Sequence, residues 1–363
     1  MQSNISCNEW KCMYKPYMNY IKAVIVIPQY YWSTESEIVY KNKTMLLRQF
    51  NKEGIPVLIL PPQAGHHSNI CDYAPDQTLV RVLMSRGLNV FVTEWLSADF
   101  QYRNLGIEDH IILTDEAVEK IRELTGFEKI HLIGQCQGGW QAAVYTALNP
   151  DKIKSLIVAA APIDVDAEHC FLMDYARIPG FCEYWVDLFG GLMPGWIMLQ
   201  GFKSIDPLEH YWNKYLKLFN NVIDDDKKAI DRYRKFENWY EYTQKLPGRF
   251  YLEAVDWIFR NNDLIKPGKI IISGKPVDFG NIKCPLILLA GKKDNISPPA
   301  QTFSMEKYVS SKDIIKILCD GGHIGTLMGK ASLRQHWTKI ADWLAGDPRP
   351  KICSNTLLEL IVP

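Results

Sequence analysis

Short runs of consecutive apolar residues alternate along this chain with longer stretches whose apolar positions recur every three or four residues. Residues 55–60, 89–94, 129–133 and 155–160 are runs of the first kind, and 284–291 and 313–319 repeat the pattern near the C-terminus. A strand covered on both faces reads as such an unbroken run, because neither side of the pleat meets water. Stretches 77–86, 107–124, 140–148 and 333–344 carry the helical period instead. The alternation predicts βαβ units and an α/β fold, entered through short strands near 37–40 and 44–50. From about Val165 to Gly268 the strand signal disappears. That region is rich in Trp, Tyr, Phe and Met, keeps a helical period and is broken at Pro179-Gly180 and Gly190-Gly191, so it reads as a helical cap inserted into the α/β core. The expected division is an N-terminal segment at 1–36, a core at 37–164 and 269–345, a cap at 165–268 and a tail at 346–363.

Composition narrows the class. With 363 residues, 47% of them hydrophobic, the chain can bury a large core, either as one large domain or as a core with an insertion. Lys plus Arg and Asp plus Glu balance at 41 each, which argues against a nucleic-acid surface and against charge-driven attachment to anionic membranes. Nine cysteines, odd in number and without metal-ligand spacing, read as free thiols of a reducing compartment, so a cytoplasmic location is expected. The apolar run 21–31 is too short to span a bilayer, and the N-terminus lacks a basic and then apolar leader. No cofactor or metal is expected: the adjacent His66 and His67 have no partner ligands nearby in sequence.

The sharpest chemical signal is Gly134-Gln135-Cys136-Gln137-Gly138-Gly139, placed directly after the run 129–133 and before the helical stretch 140–148. Strand, Gly-x-nucleophile-x-Gly, helix is the nucleophile elbow of an α/β-hydrolase, here with cysteine where serine usually stands. So sharp a turn needs glycine two residues before and two after the nucleophile, since a Cβ at either position would hold strand and helix apart. It also aims the Gln137 amide at the place where a tetrahedral oxyanion forms. In this fold the acid and the histidine follow the nucleophile in chain order. Asp294 sits on the loop after the apolar run 284–291, and His323 lies between glycines in Gly321-Gly322-His323-Ile324-Gly325, just after the run 313–319. The loop 61–67 after the third core strand is where a second oxyanion amide belongs, supplied by Ala64 or a neighbour, with His66 or His67 orienting the loop or touching substrate. The plainer readings are a small buried thiol at Cys136, a capping carboxylate at Asp294 and a turn histidine at His323.

These motifs, with Ala290-Gly291-Lys292-Lys293-Asp294 and Pro298-Pro299 beyond, resemble the polyhydroxyalkanoate synthases, which polymerise 3-hydroxyacyl-coenzyme A through a Cys-Asp-His triad. The likeness runs from about Ile38 to Leu344 and takes in 75–81, 92–95 and 261–278, the last similar to the catalytic subunit of the two-subunit synthases. The resemblance implies Cys136 as acylated nucleophile, His323 as general base and Asp294 as its carboxylate partner. It further implies 3-hydroxyacyl-coenzyme A and a growing polyester as substrates, a second synthase subunit or a further copy of the chain as partner, and a place at polyester granules. The aromatic cap is then the expected lining for an acyl or polyester chain, although most of its aromatics are expected to pack the cap itself.

Three features depart from the synthase pattern. Asn295 follows the aspartate where synthases usually carry His, and Pro61-Pro62-Gln63-Ala64-Gly65-His66-His67 is more similar to intracellular polyhydroxybutyrate depolymerases. The segment 193–202, followed by 250–253, leans the same way, whereas Gly138-Gly139 after Cys-Gln does not. A depolymerase or thioesterase, in which water takes the acyl group, is therefore the alternative enzyme. A granule-associated scaffold with a silent site is the non-enzymatic one. Cysteine favours synthesis, because an acyl group moved from coenzyme A to a thiol remains a thioester and keeps its transfer potential.

Overall fold

A computed structural model describes residues 7–346, with side chains from residue 14 onward. The tail assigned to 346–363 lies, beyond its first residue, outside the described residues. Eight strands make the central sheet: β1 (Glu37–Asn42), β2 (Met45–Gln49), β3 (Pro56–Leu60), β4 (Asn89–Trp95), β5 (Ile130–Gln135), β6 (Ile153–Ala159), β7 (Leu286–Gly291) and β8 (Ile314–Cys319). Their order is β1-β2-β4-β3-β5-β6-β7-β8. β2 runs antiparallel to both its neighbours, and every other adjacent pair is parallel.

The unbroken apolar runs are the central strands. Every residue of β3, β4, β5 and β7 is buried, while edge strand β8 alternates half-buried with buried. Successive side chains point to opposite faces of a strand, so one run feeds two cores. Leu58, Leu60, Leu132, Leu156 and Leu288 pack on one side of the sheet, and Val57, Ile59, Ile133, Ile157 and Leu289 on the other.

Helices complete the crossovers. α1 (Cys7–Val24) precedes the sheet, α2 (Leu79–Met84) joins β3 to β4, α3 (Ile107–Thr125) joins β4 to β5 and α4 (Gln137–Leu148) joins β5 to β6. The start of α3 is closed by Asp109, whose carboxylate accepts from the Gly106 N–H at 2.9 Å, and its end by Gly126 at φ 73°. α4 is buried from Gln137 to Ala147, as befits a helix with almost no polar face.

Between β6 and β7 the chain forms α5 (Phe171–Arg177), α6 (Phe181–Leu188), α7 (Gly195–Ile205), α8 (Lys214–Ile223), α9 (Lys227–Tyr240) and α10 (Gly248–Ala254). One feature departs from an all-helical insertion: Leu192–Met193 pairs antiparallel with Leu246–Pro247, a ribbon too short to leave a periodic signal. A second departure is α1, since the sequence pattern assigns no element to 1–36. Its polar and aromatic residues, with Pro16 inside, blur the helical period. The helix packs on α8 and α9, where Ala23 meets Leu218 and Val222. Among the described residues no helix is long and apolar enough to cross a membrane.

Candidate active site

At the C-terminal end of β5 the chain turns into α4 through Cys136, at φ 53° and ψ −118°. An L-residue held there costs about 1–3 kcal/mol, so the surroundings must enforce it. They do so on both sides of the thiol. The Cys136 N–H donates to the Ala159 carbonyl at 2.8 Å, and its own carbonyl accepts from Gly139 N–H at 2.8 Å. A Cβ on Gly134 would lie 2.3 Å from the Gly138 oxygen, and one on Gly138 would lie 2.0 Å from the Leu60 oxygen. Both positions are therefore closed to any side chain.

Asp294 lies on the loop after β7, and its two carboxylate oxygens have separate work. Oδ1 accepts from the backbone N–H of Ile296 at 2.9 Å and of Ser297 at 2.8 Å, which fixes the rotamer. Oδ2 sits 2.8 Å from Nδ1 of His323, the first residue of α12 (His323–Met328), which follows α11 (Pro299–Phe303) and β8. A carboxylate only accepts, so Nδ1 carries the proton and Nε2 is left free of Asp294. Burial alone would push the His323 pKa down. The charge of Asp294, then that of Cys136, together with the hydrogen bond to Asp294, outweigh it and hold the imidazole well above its usual value. Asp294 and His323 are buried and Cys136 is half-buried. Asp320 and Asn295 are exposed, and neither is hydrogen-bonded to the pair.

Ala64 and Gln137 face the same cavity as Cys136. Neither backbone N–H has a hydrogen-bond partner among the described residues. Gln137 does more than offer its amide. Its side-chain carbonyl accepts from the Gln63 N–H at 2.6 Å and its amide donates to Gln141 at 2.7 Å; Gln141 donates in turn to Thr114 at 2.8 Å. This chain of bonds ties the loop after β3 to α4 and α3. Sequence reasoning missed it because it joins residues 74 positions apart in the chain.

The same loop is tied to the insertion. Gly65 O accepts from Gln244 N–H at 2.8 Å, His66 bridges Thr243, and the Trp239 ring N–H donates to His67 O at 3.3 Å. His66 does not line the cavity: its ring packs on Tyr240 and Trp239 and stacks on Phe202, which does line it. His67 orients the loop, accepting from Asn69 N–H at 3.1 Å and meeting the Glu94 carboxylate at 2.9 Å. The two rings thus have different partners.

The cavity beside Cys136 measures about 340 Å³. Trp140 and Phe250 come from the core side and α10, and Tyr175, Phe181, Trp185 and Phe202 from the insertion. Its walls are overwhelmingly apolar. Trp196, an aromatic of the 193–202 segment, is 49% exposed and does not line the cavity. It leans on Phe189 at the surface instead, a matter of helix face that composition does not reveal.

The family model described as protein of unknown function (DUF3141) matches residues 41–318. The chain belongs to this family. The likeness to polyhydroxyalkanoate synthases also holds. Poly(3-hydroxyalkanoate) polymerase subunit PhaC of Haloferax mediterranei is 28% identical over 319 residues, and that of Allochromatium vinosum 25% identical over 318. Each alignment covers 86% of this chain, which spans 64% of the Haloferax protein's length and 88% of the Allochromatium protein's. Among solved structures, monoacylglycerol lipase of Paleococcus ferrophilus superposes with a TM-score of 0.53 at 17% identity, covering 83% of this chain and 98% of the lipase. Mouse alpha/beta hydrolase domain-containing protein 10 gives 0.50 at 16%, covering 86% and 98%. The fold is that of the α/β-hydrolases, with helices inserted after β6.

Proposed function

We propose that this protein is an acyltransferase of the polyhydroxyalkanoate-synthase type, acting on 3-hydroxyacyl-coenzyme A through Cys136, His323 and Asp294. The observation that carries the reading is a half-buried thiol lining an apolar cavity, with a buried, carboxylate-held imidazole whose charge state the thiol influences. The PhaC relatives supply the substrate class. His323 takes the Cys136 proton, and the thiolate attacks the thioester carbonyl, whose oxygen becomes an anion held by the amides of Gln137 and Ala64. The bond from carbonyl carbon to coenzyme A sulfur breaks, and the proton returns from His323 to that leaving thiolate. The 3-hydroxyl of another acyl unit then gives its proton to His323 and attacks the Cys136 thioester. An ester forms, and Cys136 leaves as thiolate to be reprotonated by His323. Asp294 keeps the imidazole in the tautomer that both half-reactions need.

In this reading the insertion, assigned to 165–268, keeps water from the thioester while a hydroxyl attacks. Incubating the pure protein with 3-hydroxybutyryl-coenzyme A tests it. Released coenzyme A should be matched by polyester. Release matched by free acid would make the enzyme a thioesterase, and no release with unmodified Cys136 would make the site silent.

A further inference from the structure

The loop after β3 brings one more group to the thiol, and no motif assigns it. Gln63 is 3% exposed and lines the cavity beside Cys136, Ala64 and Gln137. Its backbone N–H is taken by Gln137, yet neither its side-chain carbonyl nor its side-chain amide has a hydrogen-bond partner among the described residues. Buried amides are nearly always paired, and one left bare in a cavity is a group that a ligand completes. The indole N–H of Trp185, in the same lining, is likewise unpartnered. These polar atoms stand out against a wall that is otherwise almost all hydrocarbon. A plain fatty acyl chain would fill the volume and leave each of them desolvated and unpaired. An acyl unit bearing a hydroxyl or an ester oxygen would satisfy them.

We propose that Gln63 is the residue that reads the 3-hydroxyl of the acyl group, so that the site selects 3-hydroxyacyl over unsubstituted acyl thioesters. The side-chain carbonyl accepts the hydroxyl proton and the side-chain amide donates to a neighbouring ester oxygen. Trp185 gives a second donor to an oxygen further along an oligoester. The inference rests on the acyltransferase reading for its ligand, and it adds a discrimination which that reading does not require. Because the loop is held through the Gln63 backbone, the side chain can be changed without untying the link to Gln137.

The test uses the Cys136→Ala protein, which binds without reacting, and titrates it with 3-hydroxyoctanoyl-coenzyme A and octanoyl-coenzyme A. The hydroxylated ligand should bind about tenfold more tightly, the scale of one neutral hydrogen bond plus relief of an unpaired group. Gln63→Leu in the same background should bring the two affinities together while leaving octanoyl-coenzyme A as tightly bound as before or tighter. Gln63→Asn serves the same comparison if the leucine variant does not fold. Equal binding of the two ligands before substitution, or a preference that survives it, overturns the proposal. Native Cys136 that acylates equally fast from both thioesters overturns this proposal alone. Native Cys136 that acylates from neither removes the acyltransferase reading itself.

Discussion

Cys136 has a feature that the other described thiols lack: a half-buried sulfur beside a base. Cys71, Cys170, Cys182 and Cys319 are buried, and burial pushes Cys284 and Cys319 up to about 11. Limiting iodoacetamide should therefore modify Cys136 first among these six, and peptide mapping that finds Cys284 labelled ahead of it would contradict the assignment. In the acyltransferase reading, Asp294→Asn should leave a slow residual acyl transfer, because the imidazole stays but loses its orientation. The same variant has a pH signature. His323 is raised in the folded protein, so it adds stability that is complete below about 6.5 and is lost as pH rises through the folded value. The melting temperature of Asp294→Asn should accordingly fall furthest below the native one on the acid side and approach it at alkaline pH. These three residues stood out in the sequence because their signals are local: the glycines around a strained turn, and a carboxylate and a histidine on loops after later strands. Gln63 was not, since nothing short of packing shows that its amide is buried and bare.

At the scale of elements, the elbow and the cap make opposite demands on side chains. Gly138→Ala should fail to fold or lose several kcal/mol, because its Cβ would meet the Leu60 carbonyl at 2.0 Å and both strand and helix are rigid there. Cap aromatics are more forgiving. Phe181 lines the cavity yet is 36% exposed, so Phe181→Ala should keep the fold. In the synthase reading it should raise free acid relative to polyester from 3-hydroxybutyryl-coenzyme A, and an unchanged ratio would remove the water-excluding role from that part of the cap. Which aromatic to choose could not be read from the chain. The helical period names a face but not what it packs against, and Trp196 falls on the outer side. The sheet was far more legible, since strands buried on both faces announce themselves as unbroken apolar runs, whereas α1 hides among Tyr, Lys and Pro16.

For the molecule as a whole, the buried histidines set the response to acid. Burial lowers His66, His110 and His131 to about 4 each, so between that value and about 6.5 the unfolded chain binds protons that the folded one refuses. Stability should then fall as pH drops through this window, since each ring is protonated only on unfolding. Urea unfolding should show the midpoint declining from pH 7 to 5, ahead of the carboxylates, and a flat midpoint there would show that these rings are protonated in the folded protein. The ties from Gly65 and His66 to Gln244 and Thr243 have a different consequence at this scale. They act as a safety catch. In the acyltransferase reading, lifting the insertion would pull on the strip of chain that carries Ala64, so the proposed oxyanion amide and the roof stand or fall together. On that reading an open molecule would be disarmed at the moment when water could reach the proposed thioester.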